Sequence, residues 1–210
     1  MAKRNTEILD VPNLTITSPS VYEVKIQGLA GILFNKMPDL SISKTEKNTQ
    51  EKEDPLEREK RTWKEKLYLE GNQVIIPGEN IHEAFKEASR YWGQKIPGEG
   101  NKTYTDVIAK AIVCENVYFG VTVDDPKIVP FGKAVNGNPS KGKKSGSKVY
   151  KIRPLLMPWE AEFRFHVFDG RLTIDVLRVI LSYCGMFIGL CDWRPTYGRF
   201  NSVSLEKVEL

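Results

Sequence analysis

Basic and aromatic side chains, the types that bind phosphates and stack on rings, are concentrated in two places along this chain. Residues 126–159 hold eight basic side chains (Lys127, Lys133, Lys141, Lys143, Lys144, Lys148, Lys151 and Arg153) and no acidic one. Glycine and serine separate the charges around 137–147, so the segment can follow a phosphate backbone and gain affinity by releasing counterions. Phe131, Tyr150 and Trp159 lie near its base, where aromatic faces can stack on bases. The second concentration is the stretch GLCDWRPTYGRF from Gly189 to Phe200, with Trp193, Arg194, Tyr197 and Arg199 between two glycines. Glycines allow close approach of backbone, while arginine and aromatics supply phosphate pairing and stacking. The structural alternative is a tight turn in which Trp193 and Tyr197 plug the core and Asp192 pairs with an arginine.

Groups suited to covalent or acid–base catalysis are scattered by comparison. Cys114, Cys184 and Cys191 sit among apolar or mixed neighbours with no Cys-x-x-Cys pair, as buried free thiols do. His82 falls on the polar side of a helical pattern and His166 alternates away from Phe163 and Phe165; each can touch a phosphate, although a surface histidine needs no such role. Asp39 and the pair Asp124-Asp125 have nothing at metal-ligand spacing around them. No phosphate-binding glycine loop, zinc-protease helix motif or nucleophile elbow occurs. The expectation is a protein without catalytic residues, cofactor or metal.

The elements that must carry these groups follow from periodicity. Val21–Gln27 and Ala161–Val167 alternate apolar and polar residues, the pattern of half-buried strands. Between the first of these and Phe34, Gly28 and Gly31 allow a bulge or close backbone approach. Gln73–Ile76 is a short strand stopped by Pro77-Gly78. Ile81, Ala84, Phe85, Ala88 and Trp92 then recur at helical spacing, with a cap at Glu79 or Asn80 and a stop at Gly93. Tyr104–Ala111 reads as a short helix, and 111–121 as one buried strand bulged at Glu115-Asn116. Ile128–Phe131 and Lys148–Ile152 look like the arms of a long hairpin around the basic tip. Thr173 caps a helix whose stripe is Leu177, Ile180, Leu181 and Cys184, and a strand runs from about 198 to 208. Residues 45–66 carry seven acidic and seven basic groups with Leu56 and Trp63 as their large apolar residues, which predicts a mobile charged insertion over 41–66 with a helical turn near Glu57–Lys66. The long elements give β-α-β-β-α-β, the order of a ferredoxin-like α+β fold with two insertions, at 122–153 and 41–66, in a single domain spanning 1–210. RNA-recognition modules share this topology and use its open sheet face to stack bases.

With 40% apolar and 28% charged residues, the 210-residue chain has material for one core. The formal net charge is +4, so eight positive charges in 126–159 leave −4 on the rest. A basic segment on a mildly acidic body favours a polyanion partner over a generic acidic enzyme. No run of about 18 apolar residues is present to span a membrane. The first residues lack the apolar stretch of a signal peptide, and a reduced, cytoplasmic protein is expected.

The segment VIIPGENIHEAF, Val74 to Phe85, resembles the strand, Pro-Gly, small-residue, helix signature of the RAMP superfamily, the RNA-binding subunits of CRISPR effector complexes and above all their repeating backbone subunit. Glu79, Asn80 and Ala84 stand where the family has small residues, and no arginine follows at the usual place. Gly198-Arg199-Phe200 is similar to the family's C-terminal glycine-rich, Arg-containing loop, and the ribbon from Thr122 to Arg153 resembles its thumb. The pattern is also similar to small phage proteins of the same superfamily. The resemblance implies a subunit that forms a filament along single-stranded nucleic acid, RNA favoured, alongside other CRISPR-type subunits. Some members cut RNA with an aspartate after the first strand, a region in which Asp39 lies. The expected binding residues are Phe131, Lys133, Lys141, Lys143, Lys144, Lys148, Lys151, Arg153, Trp193, Arg194, Tyr197 and Arg199. The competing expectations are a phage-encoded assembly or inhibitor protein acting through protein contacts on the same fold, and an RNA endonuclease using Asp39 or Asp124.

Overall fold

Strand β1 (Ser20–Gly28) turns Val24 and Ile26 into the core and Lys25 and Gln27 outward, as its alternation requires. This strand belongs to a computed structural model that describes residues 18–37, 54–136 and 148–209. The chain continues through β2 (Ile32–Leu33), α1 (Pro55–Thr62), a 3₁₀ turn (Trp63–Lys66), β3 (Leu69–Glu70), β4 (Gln73–Ile76), α2 (Gly78–Trp92) and α3 (Tyr104–Ala111). Then come β5 (Ile112–Cys114), β6 (Val117–Thr122), β7 (Ile128–Asn136), β8 (Lys148–Leu156), β9 (Glu160–Val167), α4 (Ile174–Tyr183) and β10 (Phe200–Val208). The class is α+β. One antiparallel sheet has the order β10-β1-β9-β6-β4-β3, with β5 also pairing β9, and a second has the order β2-β8-β7.

The core lies between the larger sheet and its helices. Phe163 and Phe165 on β9 meet Phe85 of α2, whose ring stands edge-on to Phe165 with centroids 5.5 Å apart. Leu177, Ile180 and Leu181 of α4 join the same cluster. Truncating a ring this buried costs about 3–5 kcal/mol. The opposite face of the sheet carries ion pairs, Lys25–Glu162 at 3.0 Å and Arg164–Glu23 at 2.7 Å. Tyr118 also lies on that face, its hydroxyl donating to Glu70.

Two local expectations are corrected. Helix α2 begins at Gly78 behind Pro77, with no side-chain cap at Glu79 or Asn80. A Cβ at Gly78 would lie 2.0 Å from the Cys114 carbonyl oxygen, so the close approach demands glycine, and its N–H donates to Asn116 Oδ1 instead. The strand read over 111–121 is divided into β5 and β6, because Asn116 turns away to serve that helix start. The helix led by Thr173 ends in a π turn, Cys184–Ile188, before Gly189.

The charged stretch expected to be mobile is docked over its second half. Residues 38–53 lie outside the described residues, but α1 and the 3₁₀ turn pack on β8. Trp63 packs against the core, and the polar anchor is Glu59. Its carboxylate accepts the Ile152 N–H at 2.9 Å and pairs with Lys66 and Lys151, while Lys66 Nζ donates to the Ile152 carbonyl at 2.7 Å. Both main-chain groups of Ile152 at the free edge of β8 are therefore satisfied by side chains, one way of closing an exposed strand edge.

Candidate nucleic-acid interface

The β7–β8 hairpin pairs Phe131 with Arg153 and Lys133 with Lys151, so these four side chains share one face. Against that face lies the loop from Gly189 to Arg199. Its backbone is tied to the β1–β2 connection: Asp192 N–H to Leu33 at 2.9 Å, Gly198 N–H to Gly31 at 2.9 Å and Leu29 N–H to Arg199 at 2.8 Å. Gly198 has φ 73°, and a Cβ there would sit 2.0 Å from the Leu190 carbonyl oxygen. Cys191 and Trp193 are held in the left-handed region at φ 64° and 54° without being glycine. Such conformations cost about 1–3 kcal/mol each and collect at functional sites.

This strained turn aims its aromatics at the ribbon. Phe131 meets Trp193 edge-on at 5.9 Å between centroids and Tyr197 at 5.5 Å. Lys133 Nζ stands 5.5 Å from the Trp193 centroid and the Arg153 guanidinium 5.9 Å, so two cations lie over the indole. Arg153 also donates from Nε to Asp192 Oδ2 at 2.8 Å. Two sequence-distant clusters thus form one partly exposed surface. The Asp192–arginine pairing that belonged to the tight-turn alternative is present, with its partner on the ribbon.

The remaining expected residues fall into distinct settings. Lys133 and Lys148 are exposed, and Arg199 is exposed with its Nε donating to the Pro195 carbonyl. Arg194 pairs with Glu87 at 3.2 Å, and Lys151 with Glu59 at 3.0 Å. Burial works against ionisation of Glu59, but the Ile152 N–H, Lys66 and Lys151 outweigh it and hold the carboxyl down to about 2. Lys66 is pushed down by burial and by its cationic neighbours Arg153 and Lys151, despite Glu59. Lys141, Lys143 and Lys144 lie outside the described residues, as does Asp39. Trp159 is not a stacking surface: it is 4% exposed and its indole N–H donates to Ala30. Tyr150 is exposed on the other face of the ribbon.

Beside this surface opens a cleft of about 210 Å³ lined by Asn35, Tyr68, Asn80, Glu83, Cys191, Asp192 and Arg194. Sequence reasoning missed it; four separate segments build it and no motif links them. An exposed ring group on the helices, Tyr91 with Tyr183 and Phe187, escaped notice for the same reason. Burial pushes the thiols of Cys114 and Cys191 up to about 12 and that of Cys184 up as well, leaving all three protonated at neutral pH. Asp124 is paired with Lys64 at 2.8 Å, and no group of three or more His, Cys, Asp or Glu gathers among the described residues. No helix among them is long and apolar enough to cross a membrane.

No family model and no curated protein matches the chain by sequence. Solved structures do match in shape. A chain of the Type III-B Cmr-beta complex bound to cognate target RNA aligns over 91% of this chain and 61% of its own length, at 14% identity and a TM-score of 0.52. Cmr6 from Pyrococcus furiosus aligns over 89% of this chain and 99% of its own, at 11% identity and a TM-score of 0.48. This chain thus spans 61% of the length of the Cmr-beta chain it matches. The likeness is one of fold.

Proposed function

We propose that this chain is a non-catalytic subunit that binds single-stranded nucleic acid, RNA favoured, on the surface shared by the β7–β8 ribbon and the Gly189–Arg199 loop. The observation that carries this reading is the Phe131–Trp193–Tyr197 ring group with Lys133 and Arg153 against its indole. Rings that stack on bases of any sequence, flanked by cations that hold phosphates, are the parts a sequence-tolerant single-strand binder needs. The strand order β10-β1-β9-β6 supports a ferredoxin-like core in one domain, with 122–153 inserted as a thumb. The likeness in fold to a chain of a complex bound to target RNA supports RNA over DNA. The rings sit on ribbon and loop, whereas the open sheet face carries ion pairs; contact therefore differs from that of RNA-recognition modules. Lys133, Lys148 and Arg199, together with Lys141, Lys143 and Lys144, meet phosphates; Lys151, Arg153 and Arg194 add field while holding the ribbon and loop.

The test is anisotropy of labelled single-stranded RNA titrated with the full chain at several salt concentrations. Affinity should fall steeply with salt, by a factor of ten or more between about 50 and about 200 mM if several phosphates are contacted. Equal weak binding across that range would refute the proposal. A second reading, an assembly or inhibitor protein working through protein contacts, is favoured by the exposed Tyr91, Met186 and Phe187. Defined oligomers that survive nuclease treatment would select it.

A further inference from the structure

The cleft beside the ring surface brings carboxylates and amides together next to a basic, aromatic one. Asn35 follows β2, Tyr68 precedes β3, Asn80 and Glu83 lie in the first turns of α2, and Asp192 and Arg194 come from the strained loop. Arg194 is paired with Glu87, Glu83 with Lys86 and Asp192 with Arg153, so the charges of the lining are matched, and what it offers is two amides, a phenol and the remaining carboxylate oxygens. Glu83 is held by Lys86 through one oxygen, at 2.6 Å, and Asp192 by Arg153 through Oδ2, so each carboxylate has a second oxygen to offer. A phosphate entering here would face Glu83 and Asp192, while Lys133 and Arg199 offer cations outside. At about 210 Å³ the space is smaller than the roughly 300–1,000 Å³ that encloses a drug-sized ligand. The space suits one planar ring, with the rest of a nucleotide left outside.

We propose that this cleft is a nucleobase pocket which takes bases bearing an exocyclic amino group and disfavours uracil. The inference rests on the single-strand binding reading above and adds a base preference to an otherwise sequence-tolerant surface. An amino group presents two N–H donors in one plane, which suit a carboxylate and an amide oxygen together. Cytosine offers that group at the position where uracil carries an acceptor oxygen. The one imide N–H of uracil is flanked by two carbonyls, so a carboxylate that reaches it turns its other oxygen toward an acceptor. Asn35 and Asn80 can complete the edge, since each amide both donates and accepts. Tyr68 supplies a ring wall, and Asp192 couples the pocket to Arg153 beneath Trp193.

The experiment compares labelled oligocytidylate and oligouridylate of equal length, bound to the full chain and to its Glu83→Gln and Asn80→Ala variants. The full chain should prefer oligocytidylate by about five-fold or more, the lower end of what one good polar base contact discriminates. In Glu83→Gln the ratio should fall toward one while the salt slope stays unchanged, because Glu83 is largely exposed, at 65%, and touches no phosphate. Tight binding of both strands without preference overturns the pocket and leaves the binding surface standing. A preference that persists in both variants also overturns it. Failure to bind either strand overturns both readings.

Discussion

Trp193 is the residue on which the interface turns. A bulky side chain at φ 54° is costly, and the turn keeps it because loop backbone is bonded to Gly31 and Leu33. The return is an indole packed against Phe131 with Lys133 and Arg153 over it. Stacking of a base on such a ring is worth about 1–3 kcal/mol, so Trp193→Ala should weaken single-stranded RNA binding roughly 5- to 150-fold. Trp193→Gly should lose the same binding yet melt at or above the temperature of the alanine variant, since glycine occupies this backbone region freely. Tyr118→Ala is the informative control, because that ring lies on the open sheet face. If Tyr118 proves necessary and Trp193 dispensable, bases stack on the sheet and not at the ribbon.

Helix α1 shows how an element can be placed by one carboxylate. Glu59 closes the edge of β8 and gathers Lys66 and Lys151, at 14% side-chain exposure. Its pKa is about 2 in the folded protein against an ordinary 4.5, so ionised Glu59 stabilises the fold fully above about pH 4.5. That contribution is lost as pH falls from there through about 2. Glu59→Gln should cost about 2 kcal/mol or more at neutral pH, by leaving Lys66 and Lys151 without their anion. Its stability should also decline less between pH 4.5 and 2 than that of the unaltered chain, as melting curves across that range will read. Equal acid sensitivity in the two proteins would mean that other carboxylates dominate. This docking explains why α1 was misread: sequence patterns report apolar faces, and Leu56 and Trp63 supply too little of one. Strands 21–27 and 161–167 and the helix around Phe85 were legible because each has a single buried face with a fixed period. The first ribbon arm was read short at its outer end, where cross-strand bonds from Lys133 to Asn136 hold it in place of burial, and the second at its inner end, from Arg153 to Leu156. The two halves of the interface were each visible as unusual composition, but nothing in the residues says that Phe131 reaches Trp193. That contact depends on the path of the whole chain.

At the scale of the molecule, charge separates the ribbon from the body. Residues 126–159 carry all of the positive surplus and the rest is net −4, with Glu23 and Glu162 on the open face. A basic ribbon on one copy and an acidic sheet on another attract, but exposed pairs of this kind are worth about 1 kcal/mol or less each and are screened beyond about 8 Å at physiological salt. Those acids are moreover already met by Lys25 and Arg164. Charge alone is therefore too weak to assemble free chains. A strand changes the arithmetic, because copies held along it meet at a high effective concentration and even weak contacts then count. The freed chain should run as a monomer after nuclease treatment, and RNA should restore larger particles whose size grows with strand length. Light scattering on a series of strand lengths reads this directly: doubling the length should double the copies bound, with the second copy adding more tightly than the first. A single copy on every strand would leave the ribbon a clamp for one site, and stable oligomers without RNA would place assembly in the exposed Tyr91, Met186 and Phe187 surface instead.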